Sequence, residues 1–217
     1  MAEHIAMSGR ALRRATAVAL LAGVALAGAT TAAPAGAALA PSVVRACPGA
    51  EAEPRTASPR ALAATTVCLV NRIRVQRRQP RLRPQRSLDA FAQGFARRMV
   101  RQRFFDHDVP GGPTFSQRAR ASTYARAARR MAMGENLAWG QGSYSTPAAI
   151  VESWMRSPGH RANILNRTFR DIGVGFVPGV PQAGGRSGAS GTYVHAFGRG
   201  GAPRGAGGGA ARHPPRG

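Results

Sequence analysis

Three side chains in this sequence pair reactive chemistry with a loop-like setting: His107, Glu135 and His160. His107 lies between Asp106 and Asp108, just ahead of the turn-forming Pro110-Gly111-Gly112-Pro113. Glu135 follows Gly134, and His160 closes Ser157-Pro158-Gly159-His160, a start signal for a short helix. Two imidazoles and a carboxylate are a ligand set for one divalent metal, with zinc the first choice because it accepts nitrogen and oxygen donors. His160 falls at about the third position of its helix. There the positive end of the helix dipole disfavours the imidazolium and keeps the ring available as a ligand. The spacing is not that of a recognised metal motif, since the intervals are long and no HExxH occurs. Each residue also has an ordinary reading: His160 bonded within a helix N-terminus, His107 on an exposed loop, Glu135 paired with one of many arginines.

Other chemistries are poorly represented. There is no GxSxG nucleophile elbow, no P-loop and no GxGxxG opening a helix. Ser157, close to His160, offers a serine-type variant of hydrolysis. Asp106 and Asp108 have the spacing of common turn residues. The C-terminal Gly/Arg segment has no interleaved aromatic residues for stacking bases, which argues against specific nucleic-acid binding.

The elements that must position these residues are legible from periodicity. Leu62, Thr66, Leu69, Val70 and Ile73 recur at helical spacing and predict a first helix that ends before Pro80, with Arg72, Arg74, Arg77 and Arg78 complementing its dipole. Leu88, Phe91, Ala92, Phe95, Ala96, Met99 and Val100 predict a second helix, with Ser87 as its N-cap. The stretch from Phe104 to Tyr144 is irregular and reads as a long functional loop. Thr146 and Ser157, each followed by proline, start a third and a fourth helix, the last ending at Asn166. Ile172–Val177 and Thr192–Gly198 read as the strands of a hairpin. Helices first and strands later in a chain of this size predict a single α+β domain, a sandwich of helices on a small sheet.

The N-terminus reads as a signal peptide over residues 1–37. Arg10, Arg13 and Arg14 precede a mostly apolar run and then Ala35-Gly36-Ala37. A retained anchor is the competing reading, although a run so rich in Ala and Gly is weakly apolar for a span, and no other segment could cross a membrane. Residues 38–60 read as an N-terminal arm, 61–198 as the domain and 199–217 as a disordered Gly/Arg-rich tail. In an exported chain, Cys47 and Cys68 suggest one disulfide closing a loop of about 20 residues; two buried free thiols are the alternative.

The formal charge is +22, carried on the positive side by arginine with no lysine. Loss of the leader removes three arginines and one glutamate, lowering it by two. That balance predicts attraction to anionic envelope polymers or lipid headgroups. A GC-rich coding bias explains arginine in place of lysine, but not the scarcity of acids.

Taken in order, the motifs resemble those of the CAP superfamily of SCP-like extracellular proteins, in its bacterial branch. The resemblance runs from Leu62 to Gly198. It rests on Leu69-Val70-Asn71-Arg72-Ile73-Arg74, Phe105-Asp106-His107, Gly134-Glu135-Asn136-Leu137-Ala138, Trp154–Leu165, Ile172-Gly173-Val174-Gly175 and Tyr193…Phe197-Gly198. It implies a three-layer α-β-α sandwich whose cleft brings His107, Glu135 and His160 together, with Asn136 and Ser157 beside them. In other members a second acid lines the cleft, and here Ser157 takes its place. The resemblance implies a secreted protein, expected to be a monomer, that binds a metal, a lipid, a cell-wall component or a partner. The alternative it leaves is a metal-dependent extracellular hydrolase of peptide or cell-wall substrates. Release from the cell, or retention at the envelope through the arginines, are both consistent with it.

Overall fold

The computed structural model of the chain describes residues 38–127, 131–182 and 189–200. The expected leader and residues 201–217 of the expected tail lie outside the described residues. Seven α-helices occur among the described residues: α1 (Pro41–Arg45), α2 (Pro59–Gln76), α3 (Arg86–Gln102), α4 (Phe115–Ala121), α5 (Thr123–Arg126), α6 (Pro147–Arg156) and α7 (Pro158–Leu165). Four strands, β1 (Arg83–Pro84), β2 (Met131–Gln141), β3 (Asp171–Pro178) and β4 (Ser190–Gly200), form one sheet in the order β1-β3-β4-β2. β3 and β4 make the expected antiparallel hairpin, β2 adds antiparallel to β4, and β1 adds parallel to β3.

Helices cover both faces of this sheet. On one, α3 lays Leu88, Ala92, Phe95, Ala96 and Met99 against Leu137, Val194 and Ala196. On the other, Leu62, Leu69, Val70 and Ile73 of α2, Ile150, Val151 and Trp154 of α6 and Ile164 of α7 meet Ile172, Val174, Phe176, Tyr193 and Phe197. The result is an α-β-α sandwich with two apolar cores separated by the sheet. α3 comes very close to β3, because a Cβ at Gly173 would stand 2.2 Å from the Leu88 carbonyl carbon and one at Gly175 2.4 Å from that of Ala92.

Side chains close both edges of the sheet. Beyond β1, Asp89 accepts from the Val174 N–H (3.0 Å), and Gln93 accepts from the Phe176 N–H (3.0 Å) while donating to the Phe176 carbonyl (2.9 Å). At the other edge the Trp154 indole donates to the Leu137 carbonyl (3.0 Å) and Asn163 to the Glu135 carbonyl (3.3 Å). Strand edges left open are templates for aggregation, and both are blunted here.

Several expectations need correction. The stretch 104–144 is mostly regular, holding α4, α5 and β2. α3 begins at Arg86 with Gln85 at the N-cap, so Ser87 lies inside the first turn. Arg74 does not serve the dipole of its own helix. It is fully buried and donates to Pro80 O (2.8 Å), Ile164 O (2.6 Å) and Asn166 O (3.1 Å), gathering carbonyls at the end of α7. The arm is part of the core: Val43, Cys47 and Ala50 are buried, and Ala50 O accepts from Ala148 N (2.8 Å). Cys47 and Cys68 form the expected disulfide. Arg199 and Gly200, assigned by sequence to the tail, complete β4.

Candidate functional site

Glu135 projects from β2 and is almost completely enclosed, its side chain 1% exposed. Two groups converge on its carboxylate. His107 Nδ1 donates to Oε1 (3.0 Å), while Arg118 Nη2 donates to Oε1 (2.9 Å) and Arg118 Nη1 to Oε2 (3.3 Å). Arg118 Nη2 also donates to the His107 carbonyl (2.7 Å), tying the loop to the guanidinium that holds the acid. An ionised carboxylate only accepts hydrogen bonds, so the contact places a His107 proton on Nδ1 and turns Nε2 away from Glu135.

Local folding explains this convergence. Thr114 and Gln117 form a capping box that starts α4, with Thr114 Oγ1 accepting from Gln117 N (3.3 Å) and Gln117 Oε1 from Thr114 N (2.8 Å). Arg118 follows on the inward face. Its guanidinium lies over the Phe95 ring, 3.4 Å from the centroid, with Phe91 and Phe115 at 5.2 and 5.5 Å. Asp108 accepts from Phe115 N (2.7 Å) and Asp106 from Asp108 N (3.0 Å), which shapes the loop that presents His107.

The opposite wall belongs to α7. Asn136 is buried, donates to the His160 carbonyl (3.1 Å) and accepts from Asn163 Nδ2 (2.9 Å), so the strand carrying Glu135 also holds the first turn carrying His160. Burial pushes the His160 pKa down to about 4, and the nearby His107 pushes it the same way. The ring is therefore neutral at ordinary pH. Ser157 is buried at the junction of α6 and α7 and makes no capping bond with its side chain. No hydrogen bond joins the Ser157 side chain to His160 among the described residues.

Of the residues offered as metal ligands, His107 contacts Glu135 directly and His160 lies close enough to His107 to feel its charge. Among the described residues, no group of three or more His, Cys, Asp or Glu side chains is disposed to hold a metal ion. Both Glu135 oxygens are engaged by Arg118, and one of them by His107 as well. Arg118 and Asn163 are the components that sequence reasoning missed. Nothing marks Arg118 among 31 basic residues except its place directly after the capping-box pair Thr114 and Gln117. A separate groove of about 720 Å³ between α2, α3 and the edge of β3, lined by Ala63, Val67, Ala90, Val174 and Phe176, contains none of these residues.

Comparison with known proteins agrees with this fold. The model of CAP, the Cysteine-rich secretory protein family, matches residues 67–187, more than half of the chain. An uncharacterized protein of Bacillus subtilis (strain 168), YkwD, is 34% identical over 127 residues, which are 56% of this chain and 46% of that one. The chain thus spans about half the length of this relative. Among solved structures, an outer surface protein of Borrelia burgdorferi superposes with a TM-score of 0.50 at 20% identity, over 62% of this chain and 89% of that chain. An extracellular SCP-domain protein of Bacillus anthracis gives 0.49 at 24% identity, over 65% and 43% of the respective chains. With the family match covering most of an α-β-α sandwich, the chain belongs to the CAP family of cysteine-rich secretory proteins.

Proposed function

We propose that this chain is an exported CAP-domain protein whose cleft between His107 and His160 holds a ligand or a partner surface rather than carrying out a reaction. The observation that carries this reading is the state of Glu135. Both oxygens already accept from a buried guanidinium and Oε1 accepts from His107 as well, so the carboxylate is spent mainly on holding the loop and α4 together, with little acceptor capacity left for a metal or a substrate proton. What remains toward the opening is a half-exposed His107 and a neutral His160, groups suited to hydrogen bonding a polar part of a ligand. Export is supported by the leader-like N-terminus and by the disulfide, which belongs to oxidising compartments. Among the described residues, no helix is long and apolar enough to cross a membrane.

The test compares wild type with His160→Ala, both checked for an unchanged melting profile. Binding of soluble cell-wall fragments and of lipid vesicles is measured alongside turnover of peptides and of the same fragments. The binding reading expects wild type to bind one of these, His160→Ala to lose at least about tenfold in affinity, and neither protein to turn anything over. Turnover by wild type that collapses in His160→Ala would establish the hydrolase instead. Zinc is titrated into chelator-treated protein in parallel. A zinc-dependent rise in Tm that Glu135→Gln abolishes would restore the three-ligand centre.

A further inference from the structure

Two helices end on a left-handed residue that is not glycine: Arg78 after α2 (φ 54°) and Arg103 after α3 (φ 57°). Glycine adopts this conformation without a steric cost, and the chain contains 27 glycines. Arginine at Arg78 therefore contributes something other than local backbone stability. Its surroundings indicate what. Arg74, buried beneath it, bonds Pro80 O on one side and Ile164 O and Asn166 O on the other. A few residues on, Arg83 N donates to Arg170 O (2.8 Å) where β1 joins β3. The turn 77–83 and the turn 166–170 thus run side by side, pinned at both ends. They present Arg77, Arg78, Arg81, Arg167 and Arg170, all exposed.

None of these five guanidinium groups pairs with a carboxylate among the described residues. The acid at this end, Asp171, is buried and engaged by Arg83 (3.1 Å) and Tyr124 (2.7 Å). Arg170 folds back onto the Arg167 and Phe169 carbonyls, which leaves its charge uncompensated. We infer that these paired turns form a docking track for a linear, phosphate-bearing polyanion, separate from the His107–His160 cleft and independent of its ligand. Guanidinium forks match phosphate oxygens bidentately. A tetrahedral phosphate can take forks from both turns at once, whereas a planar carboxylate presents one edge. The large apolar side chains exposed in the described residues are Val75, Met131 and Tyr144. Only Val75 is near the track in sequence, and a single valine is a small anchor for a bilayer and no stacking platform for bases.

The experiment measures binding of labelled inorganic polyphosphate to the full chain near physiological ionic strength. The track variant is R78G/R81S/R167S. A charge-matched control, R101S/R103G/R120S, also replaces one left-handed arginine by glycine, about 25 Å away along α3. The track variant is expected to lose about tenfold or more in affinity and the control less than about threefold, because counter-ion release scales with the phosphates contacted. R78G alone is expected to weaken binding while keeping or raising Tm, so its folding is not in question. His160→Ala should bind polyphosphate as wild type does. Equal losses in track and control variants would reduce the effect to overall charge and overturn the inference. So would unchanged binding by R78G, or tighter binding of polyglutamate, of phosphatidylglycerol vesicles or of single-stranded DNA than of polyphosphate.

Discussion

At the scale of single residues, the Glu135–Arg118 pair has the energetics of a buried ion pair. Two desolvated charges gain little net stability over apolar replacements, but removing one partner strands the other. Arg118→Ala is expected to cost about 3–5 kcal/mol, and Arg118→Lys to recover only part of it, since an ammonium lacks the planar fork that meets both oxygens and cannot lie flat on Phe95. Urea titration of both variants and of R118A/E135L measures this. A double variant no more stable than R118A would remove the stranded-charge explanation. His195 presents the opposite case, an imidazole fully buried on β4 with no hydrogen-bond partner at either nitrogen among the described residues, its ring centroid 4.0 Å from that of Phe197 and 5.1 Å from that of Trp154. Burial pushes its pKa down to about 3, and Arg74 acts in the same direction. The unfolded chain protonates this imidazole below about 6.5 and the folded chain only near 3. Stability conferred by the neutral ring is thus fully present above about pH 6.5 and is lost as pH falls toward 3. His195→Phe keeps the ring packing, and should raise Tm and flatten its decline between pH 6.5 and 4. A decline as steep as wild type's would assign the acid sensitivity to other groups.

The elements differ in how plainly they are written in the sequence, and the glycines of β3 show why. Gly173 and Gly175 read as parts of a strand, yet their role is to let α3 approach it, with the Leu88 and Ala92 backbone where a Cβ would stand. Gly175→Ala must push the helix away, and is expected to destabilise by more than about 3 kcal/mol or to prevent folding. An alanine variant with wild-type Tm would mean that the close packing is not needed. Helices α2 and α3 were legible because their apolar residues repeat at helical spacing, and α6 and α7 because a capping-type residue followed by proline marks each start. β2 was not, although it is the longest strand together with β4. Its run Gly134-Glu135-Asn136 interrupts any β pattern, because the strand carries site residues on both faces: Glu135 toward Arg118, Asn136 toward α7. Local rules fail where function needs residues the rules disfavour. α4 was hidden similarly, a short helix whose inward residue is an arginine buried by aromatic rings that are distant in sequence. His107, Glu135 and His160 were visible through motif resemblance; that Arg118 completes the cluster depends on tertiary contacts.

For the molecule as a whole, the N-terminal arm decides how the sandwich is held against unfolding. Its disulfide joins Cys47 to Cys68 of α2 across 21 residues. A link of that length restricts the unfolded chain by about 3 kcal/mol in the loop-entropy account. The arm also buries Val43, Cys47 and Ala50 in the core beside α2 and α6, and Thr65 Oγ1 donates to Pro48 O (2.9 Å). If the bridge acts only on the unfolded chain, Cys47→Ala/Cys68→Ala lowers stability by that amount and leaves the cluster around Glu135 intact. If the arm must be tied down before it can pack, loss is larger and Ala148 N, which donates to Ala50 O (2.8 Å), becomes exposed to exchange. The packing already present in the oxidised chain favours the first course. We therefore expect a decrease of about 2–4 kcal/mol in denaturant unfolding, with hydrogen exchange at Ala148 and polyphosphate binding unchanged. Rapid exchange at Ala148 in the double variant, accompanied by a loss well above this range, would show instead that the bridge holds the arm in place.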